Sequence, residues 1–463
     1  FDSCTGLVIV TLNEGLGSID KYAFRSTAMS QLTIPASVTQ IKHTAFDNTD
    51  KLMFLTFSDS DTPLTMISSN LYAFYKTMFA SSPLRMLYLG RDITDSLEHG
   101  LFQNQTALKS ITFGSGITTL NNNIFKGCTA IEKIATPSNV AHLGSAAFSG
   151  CSALSDVTLA EGLLDIESYC FEGCPLTQMS IPASTKTVKS YAFRDCGSLT
   201  AVKLADSPAP VDMEGGSTHN SNLFGDCPLA TLHIGRDVTY DEDTASPFRN
   251  QDKLTDVTFA DATVTLLGKN LLRGCGAIEK LQLPASLVNI GHGALSEMTS
   301  LKSLDLPGKT EAVGDSAFAR NTAMTEVKMT ESVTSVGSSA FTDCTALKSV
   351  ALSGKLTRLA DYLFCNCTSL PTVSIPAGVT QIDTHVFDGC TSLDNIRIPD
   401  KTTLLSSYVF NKCSSLATLD LGKGLATIDS YAITDCQALE NLVIPANVTK
   451  MELAAFHDIR NLK

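Results

Sequence analysis

The chain is short of positive charge. It carries 34 lysine and arginine residues against 47 aspartate and glutamate, a formal net charge of −13 with a sequence pI near 5.1. A nucleic-acid footprint needs Lys and Arg clustered on one face, and an anionic membrane attracts a basic face. The sequence offers neither. Long apolar runs are missing too: the longest are a few residues, far below the roughly 20 that a spanning helix needs. No transmembrane span is present. No secretory signal is visible at the start, and both ends, Phe1-Asp2-Ser3-Cys4 and Leu462-Lys463, fall inside the repeat described next. They read as cut from a longer polypeptide, so the missing signal is uninformative. Motifs for phosphate cradles, nucleophile elbows and zinc hydrolases are absent as well.

What the chain has is a phenylalanine that returns about every 23 residues, from Phe1, Phe24 and Phe46 to Phe387, Phe410 and Phe456. Leu272, Leu295 and Ile433 take the slot in three places. A fixed period of this length marks stacked supersecondary units, each too small to bury its apolar face alone. The apolar fraction of 43% is enough to fold. A chain of this length would otherwise suggest about three domains at roughly 150 residues each. Repetition overrides that prior, because a solenoid grows one coil at a time.

The coil that starts at Phe341 shows the pattern. Leu347, Val350 and Leu352 form L-x-x-V-x-L, whose V-x-L part alternates with the period of a strand. Pro or Gly commonly follows, as at Pro35, Pro182, Pro376 and Pro445, and ends the ladder at a fixed phase. A second short strand, V-T-x-I as in Val379-Thr-Gln-Ile382, leads to the next Phe, and a polar turn ending in Cys leads back. The expected fold is a repeat solenoid, a right-handed, β-rich superhelix of about 20 coils with little helix, running over 1–463 as one domain. Two longer intervals place insertions near 58–75 and 205–222, directly after the first strand.

Ile375-Pro-Ala-Gly-Val379-Thr-Gln-Ile382-Asp-Thr-His-Val-Phe387-Asp-Gly-Cys390-Thr-Ser-Leu393 resembles the BspA-like subgroup of leucine-rich repeats, with its I-P-x-x-V-T-x-I-x-x-x-A-F-x-x-C-x-x-L pattern. The resemblance extends over essentially all 463 residues. It departs at Leu272, Leu295, Ile433 and the two insertions. It implies a bacterial surface or secreted protein that adheres to host matrix proteins or to other cells.

Of the 14 cysteines, 12 stand three residues after the Phe slot. A disulfide needs side chains that face each other, whereas stacked residues at one phase run parallel. Buried free thiols are the better reading. Cys170 and Cys365 lack the His partners of a zinc site, so no metal and no cofactor are expected. The acidic stretch from Ala205 to Asp243 lacks the alternating ligands and Gly turn of a calcium loop and reads as a solvated face. Gly114 and Gly116 fit the turn after a strand. The outward strand positions are small and polar, with no aromatic or Arg cluster of the kind that carries interface energy.

A unique partner site is therefore expected where sequence breaks the repeat, at Tyr72, Tyr75, Asp212, Glu214 and His219 in the two insertions. Thr62-Pro-Leu-Thr-Met66 and Ala209-Pro-Val-Asp-Met213 resemble each other there. Two alternatives stay open: Tyr72-Ala-Phe74 as a degenerate core coil, and insertions with no role at all. The expected function is a non-catalytic binding or adhesion module for a protein or cell-surface macromolecule, located at the cell surface or outside it. A structural spacer that presents another domain is the alternative.

Overall fold

A computed structural model describes residues 1–67, 78–95, 100–214, 223–241 and 246–463. The described chain is a parallel β-solenoid of about 18 turns, with no helix among the described residues. It divides into two compact units, the first chiefly Phe1–Ala205 and Val211–Leu229, the second chiefly Asp206–Pro210 and Phe248–Lys463.

Most turns contribute two short strands, and the strands that pair do so in parallel with their counterparts in the neighbouring coils. In the first unit the first-strand row runs Gln31–Ile34, Phe54–Phe57, Met86–Arg91 and Ser110–Gly116. A second-strand row runs Thr119–Leu120, His142–Leu143, Asp165–Ile166, Thr187–Val188 and Val211–Met213. The second unit repeats the scheme, for example Ser303–Asp305, Glu326–Lys328 and Ser349–Ala351. Burial alternates as the period of two demands: Leu32 and Ile34 are inside, Gln31 and Thr33 outside.

The Phe column is the core. Phe148 and Phe171 stack with centroids 5.5 Å apart and planes 3° apart; in the second unit Phe318, Phe341 and Phe364 stack at 5.3 and 5.5 Å. Leu272, Leu295 and Ile433 are also fully buried in that slot.

The aligned cysteines have one geometry. Cys128 donates its S–H to the carbonyl of Phe102 at 3.1 Å, Cys151 to Phe125 at 3.2 Å, Cys344 to Phe318 and Cys367 to Phe341 at 3.2 Å. Each gives a donor to a buried carbonyl of the preceding coil; Phe125 O and Phe341 O accept a backbone N–H as well. Where cysteine is missing, another donor does the work: Gln105 Nε2 reaches Phe79 O at 2.7 Å and Asn321 Nδ2 reaches Leu295 O at 3.0 Å. All 14 cysteines are free, and all but Cys4 are buried.

The extra residues of the long intervals sit elsewhere than expected. Leu64–Ile67 pairs in register with Gln40–Lys42, and Val211–Met213 with Thr187–Val188. The stretches Thr62–Met66 and Ala209–Met213 therefore contain ordinary second strands, and the added length lies on either side of them. Apolar Leu64 and Met66, and Val211 and Met213, fill the usual inward positions, which fixes the register.

Candidate functional site

Along the first-strand row the outward side chains are mostly polar or small: Ser110, Thr112, Lys133, Asp156, Thr158, Gln178 and Ser180 in the first unit. Two coils break this. Phe54 is 40% exposed and Met86 is 51% exposed, and the two are Cα partners across adjacent strands. Beside them, Thr56 pairs with Tyr88. An exposed apolar pair with a tyrosine at its side thus marks a face expected to be small and polar. The signal lay in the alternation itself: in Phe54-Leu-Thr-Phe57 and Met86-Leu-Tyr-Leu89 the odd positions face out, and they hold Phe, Met and Tyr.

The edge of this patch is built by a close approach of backbone. The Tyr88 hydroxyl donates to both Asp59 oxygens at 3.0 and 2.9 Å, and the Ser115 N–H donates to Asp59 at 3.2 Å. The neighbouring carboxylate holds the phenol above its ordinary pKa, with burial adding to it. A Cβ on Gly90 would lie 2.5 Å from Phe57 O, one on Gly114 2.0 Å from Asp59 Oδ1, and one on Gly116 2.3 Å from Ser60 O. Gly114 and Gly116 lie within the strand Ser110–Gly116, so the expectation of a turn is corrected. These glycines make room for the 58–60 segment.

The same design recurs in the second unit. Leu87-Tyr-Leu-Gly-Arg-Asp-Ile-Thr94 is echoed by Leu232-His-Ile-Gly-Arg-Asp-Val-Thr239. Asp92 accepts from the Thr118 and Thr119 N–H groups at 2.7 and 2.9 Å; Asp237 accepts from those of Thr265 and Leu266 at 2.7 and 2.9 Å. His233 Nε2 lies 2.8 Å from Asp206, where Tyr88 meets Asp59 in the first unit. Arg91 and Arg236 are both fully buried. Arg91 donates to Ala36 O at 2.9 Å and Pro35 O at 2.8 Å, and burial lowers its pKa while Glu14 raises it. The outward residues differ: Thr231 and His233 stand where the first unit has Met86 and Tyr88.

Of the residues expected to form a partner site, Tyr72, Tyr75 and His219 lie outside the described residues. Asp212 and Glu214 are described and lie on the second-strand side. Asp212 is half-buried, its pKa raised by burial and then by Glu214, against the pull of Lys189. Glu214 forms an ion pair with Lys189. The same side of the first unit carries an open cleft of about 520 Å³ whose lining includes Leu101, Asn121, Asn122, His142, Asp165 and Glu167. His142 Nδ1 is 2.7 Å from Asp165, but the Ser145 hydroxyl in that cleft donates to Ser168 O at 3.0 Å. Among the described residues no three His, Cys, Asp or Glu side chains group to hold a metal ion.

A sequence profile for the BspA type leucine rich repeat region (6 copies) matches residues 1–95, 73–200, 217–348 and 335–463. The chain belongs to the BspA-type leucine-rich repeat family. Such solenoids are typically non-catalytic repeat modules of protein interaction. Comparison with curated proteins finds no match. Among solved structures the chain is similar to a leucine rich cell surface protein of Faecalibacterium prausnitzii A2-165, at 21% identity over 90% of this chain and 87% of that one, TM-score 0.27. It is also similar to a leucine-rich repeat protein of Bacteroides ovatus ATCC 8483, at 20% identity over 100% and 87%, TM-score 0.33. A T. pallidum leucine-rich repeat protein matches at 25% identity over 40% and 77%, TM-score 0.29. No helix among the described residues is long and apolar enough to cross a membrane.

Proposed function

We propose that this BspA-type chain is a non-catalytic adhesion module, displayed at a bacterial surface or secreted, that binds a protein of a host matrix or of another cell. The observation that supports the reading is the Phe54–Met86 pair with Tyr88 at its side. Large apolar and aromatic side chains left half out in water, on a rigid sheet, are what interface hot spots are made of. The two long intervals around Tyr72, Tyr75, Asp212, Glu214 and His219 supply a second, independent place for partner contacts.

The test is binding of the full chain to a panel of matrix proteins and bacterial cells, beside a Phe54→Ser/Met86→Ser variant. Exposed positions should leave stability within about 0.5 kcal/mol. Loss of two hot-spot side chains should weaken binding by about tenfold or more. Equal binding by the variant moves the site off the strand face, and shortening each long interval to a regular coil then tests the insertions. A parent that binds nothing on the panel favours the spacer reading, which the uniform polar face over most other coils supports.

A further inference from the structure

The position two residues before each Phe slot has a left-handed backbone in coil after coil: Gly100 at φ 74°, Asn123 at 55°, Asn270 at 59°, Gly293 at 59°, Ser316 at 52° and Ser339 at 57°. Gly and Asn suit it, and large side chains do not. Yet four consecutive coils of the second unit fill it with rings, Tyr362, His385, Tyr408 and Tyr431, all at φ 57–58°. The rings stack face to face with centroids 4.5, 4.8 and 5.3 Å apart and planes within 6°. Rings also take the slot at Tyr22 and at the stacked pair Tyr169 and Tyr191, but Gly, Asn, Ser or Ala fills it in other coils. The solenoid therefore does not require a ring there, and only in the second unit do four stand in succession. Residues held in an unfavourable conformation by their surroundings point to function.

We propose that this aromatic ladder is a second interaction surface, and that its partner is a cationic, Lys/Arg-bearing polypeptide segment. Stacking covers the ring faces inside the ladder, so what meets solvent is a row of ring edges, three phenol oxygens and one imidazole. Carboxylates flank it: Asp388 lies 2.8 Å from His385 Nδ1, and Asp361, Asp429 and Asp435 adjoin the ladder in sequence, against two cations at the same spacing, Lys412 and Arg358, the latter paired with Asp383. Phenol oxygens and carboxylates accept hydrogen bonds from ammonium and guanidinium groups. Tyr362 is 41% exposed, and the preceding coil has only Ser339 at this slot, so its outer ring face is open to an Arg by cation–π contact. An anionic or apolar segment would find neither feature.

The experiment compares an Arg/Lys-rich peptide with a Glu-rich peptide of equal length, using the full chain and a Tyr362→Asn/Tyr408→Asn/Tyr431→Asn variant. Asn keeps the left-handed backbone comfortable and leaves net charge unchanged, so general attraction to the acidic chain survives in the variant. The expected result is that the parent takes the cationic peptide and not the acidic one, and that the variant melts at the parent's temperature or above but binds about tenfold or more weakly. Equal binding by parent and variant overturns the proposal, as does a parent with no preference for the cationic peptide. Should the Asn variant misfold, Tyr→Phe at the same three positions keeps the stack and removes only the hydroxyls. Severalfold weaker binding is then expected, and binding equal to the parent's overturns the proposal.

Discussion

Cys344 occupies a slot that other coils fill with Asn321 or Gln105, and what these share is a donor aimed at a buried carbonyl of the preceding coil. Cys344→Ala should leave Phe318 O without its donor and cost about 1–3 kcal/mol, measured by denaturant unfolding, whereas Cys344→Ser keeps a hydroxyl there and should cost less. Burial also pushes the Cys344 thiol from 9.0 up to about 12. Below pH 9 the thiol is protonated in folded and unfolded chains alike and adds no pH dependence. Above pH 9 the unfolded chain gives up the proton and the folded one keeps it, so stability falls toward pH 12, by about 1.4 kcal/mol per pH unit for each such thiol. Unfolding midpoints between pH 8.5 and about 10.5 should therefore fall less steeply for Cys344→Ser than for the parent. Identical slopes would show that the thiol is not held protonated by the fold.

At the scale of the element, a glycine in a strand and one in a turn carry different loads. Gly114→Ala brings a Cβ to 2.0 Å from Asp59 Oδ1 and 2.6 Å from the Tyr88 hydroxyl, so the 58–60 segment has to move. A cost of about 1–3 kcal/mol is expected, with a change in Tyr88 ultraviolet absorbance as its hydrogen bond breaks. Gly197→Ala meets no atom within 4 Å and should be neutral or slightly stabilising. Equal effects of the two substitutions would contradict the close packing of 58–60. The strands themselves were legible because Val350 and Leu352 alternate with outward Ser349 and Ala351, and the Phe slot repeats the phase coil after coil. The patch at Phe54 and Met86 was not, because an outward apolar residue leaves the inward period undisturbed and reads as noise. Placing the added length around 64–67 and 211–213 needed the pairing register, since Leu64-Thr-Met66 and Val211-Asp-Met213 lack the V-T-x-I signature. Gly114 was misread for a related reason: a glycine required by a distant segment looks the same in sequence as one required by a turn.

For the molecule as a whole, a stack of coils has few contacts that skip a neighbour, so stability is a sum of coil and interface terms rather than a single cooperative core. The net charge of −13 sets solubility and the sign of partner it attracts, and has no part in holding the coils together. Phe341 lies between Phe318 and Phe364 at 5.3 and 5.5 Å and is fully buried. Removing its ring by Phe341→Ala leaves a cavity bounded by those two neighbours and should cost about 3–5 kcal/mol. Where that loss appears distinguishes a solenoid from a globule. Native-state hydrogen exchange, read by mass spectrometry, should show faster exchange in the strands of the Phe318, Phe341 and Phe364 coils. The coils of Leu272 and Ile433 should keep the parent's protection, because no first-neighbour contact reaches them. Uniform loss of protection across the second unit would mean that its coils unfold as one block, and protection unchanged at Phe341 would remove the ring from the core.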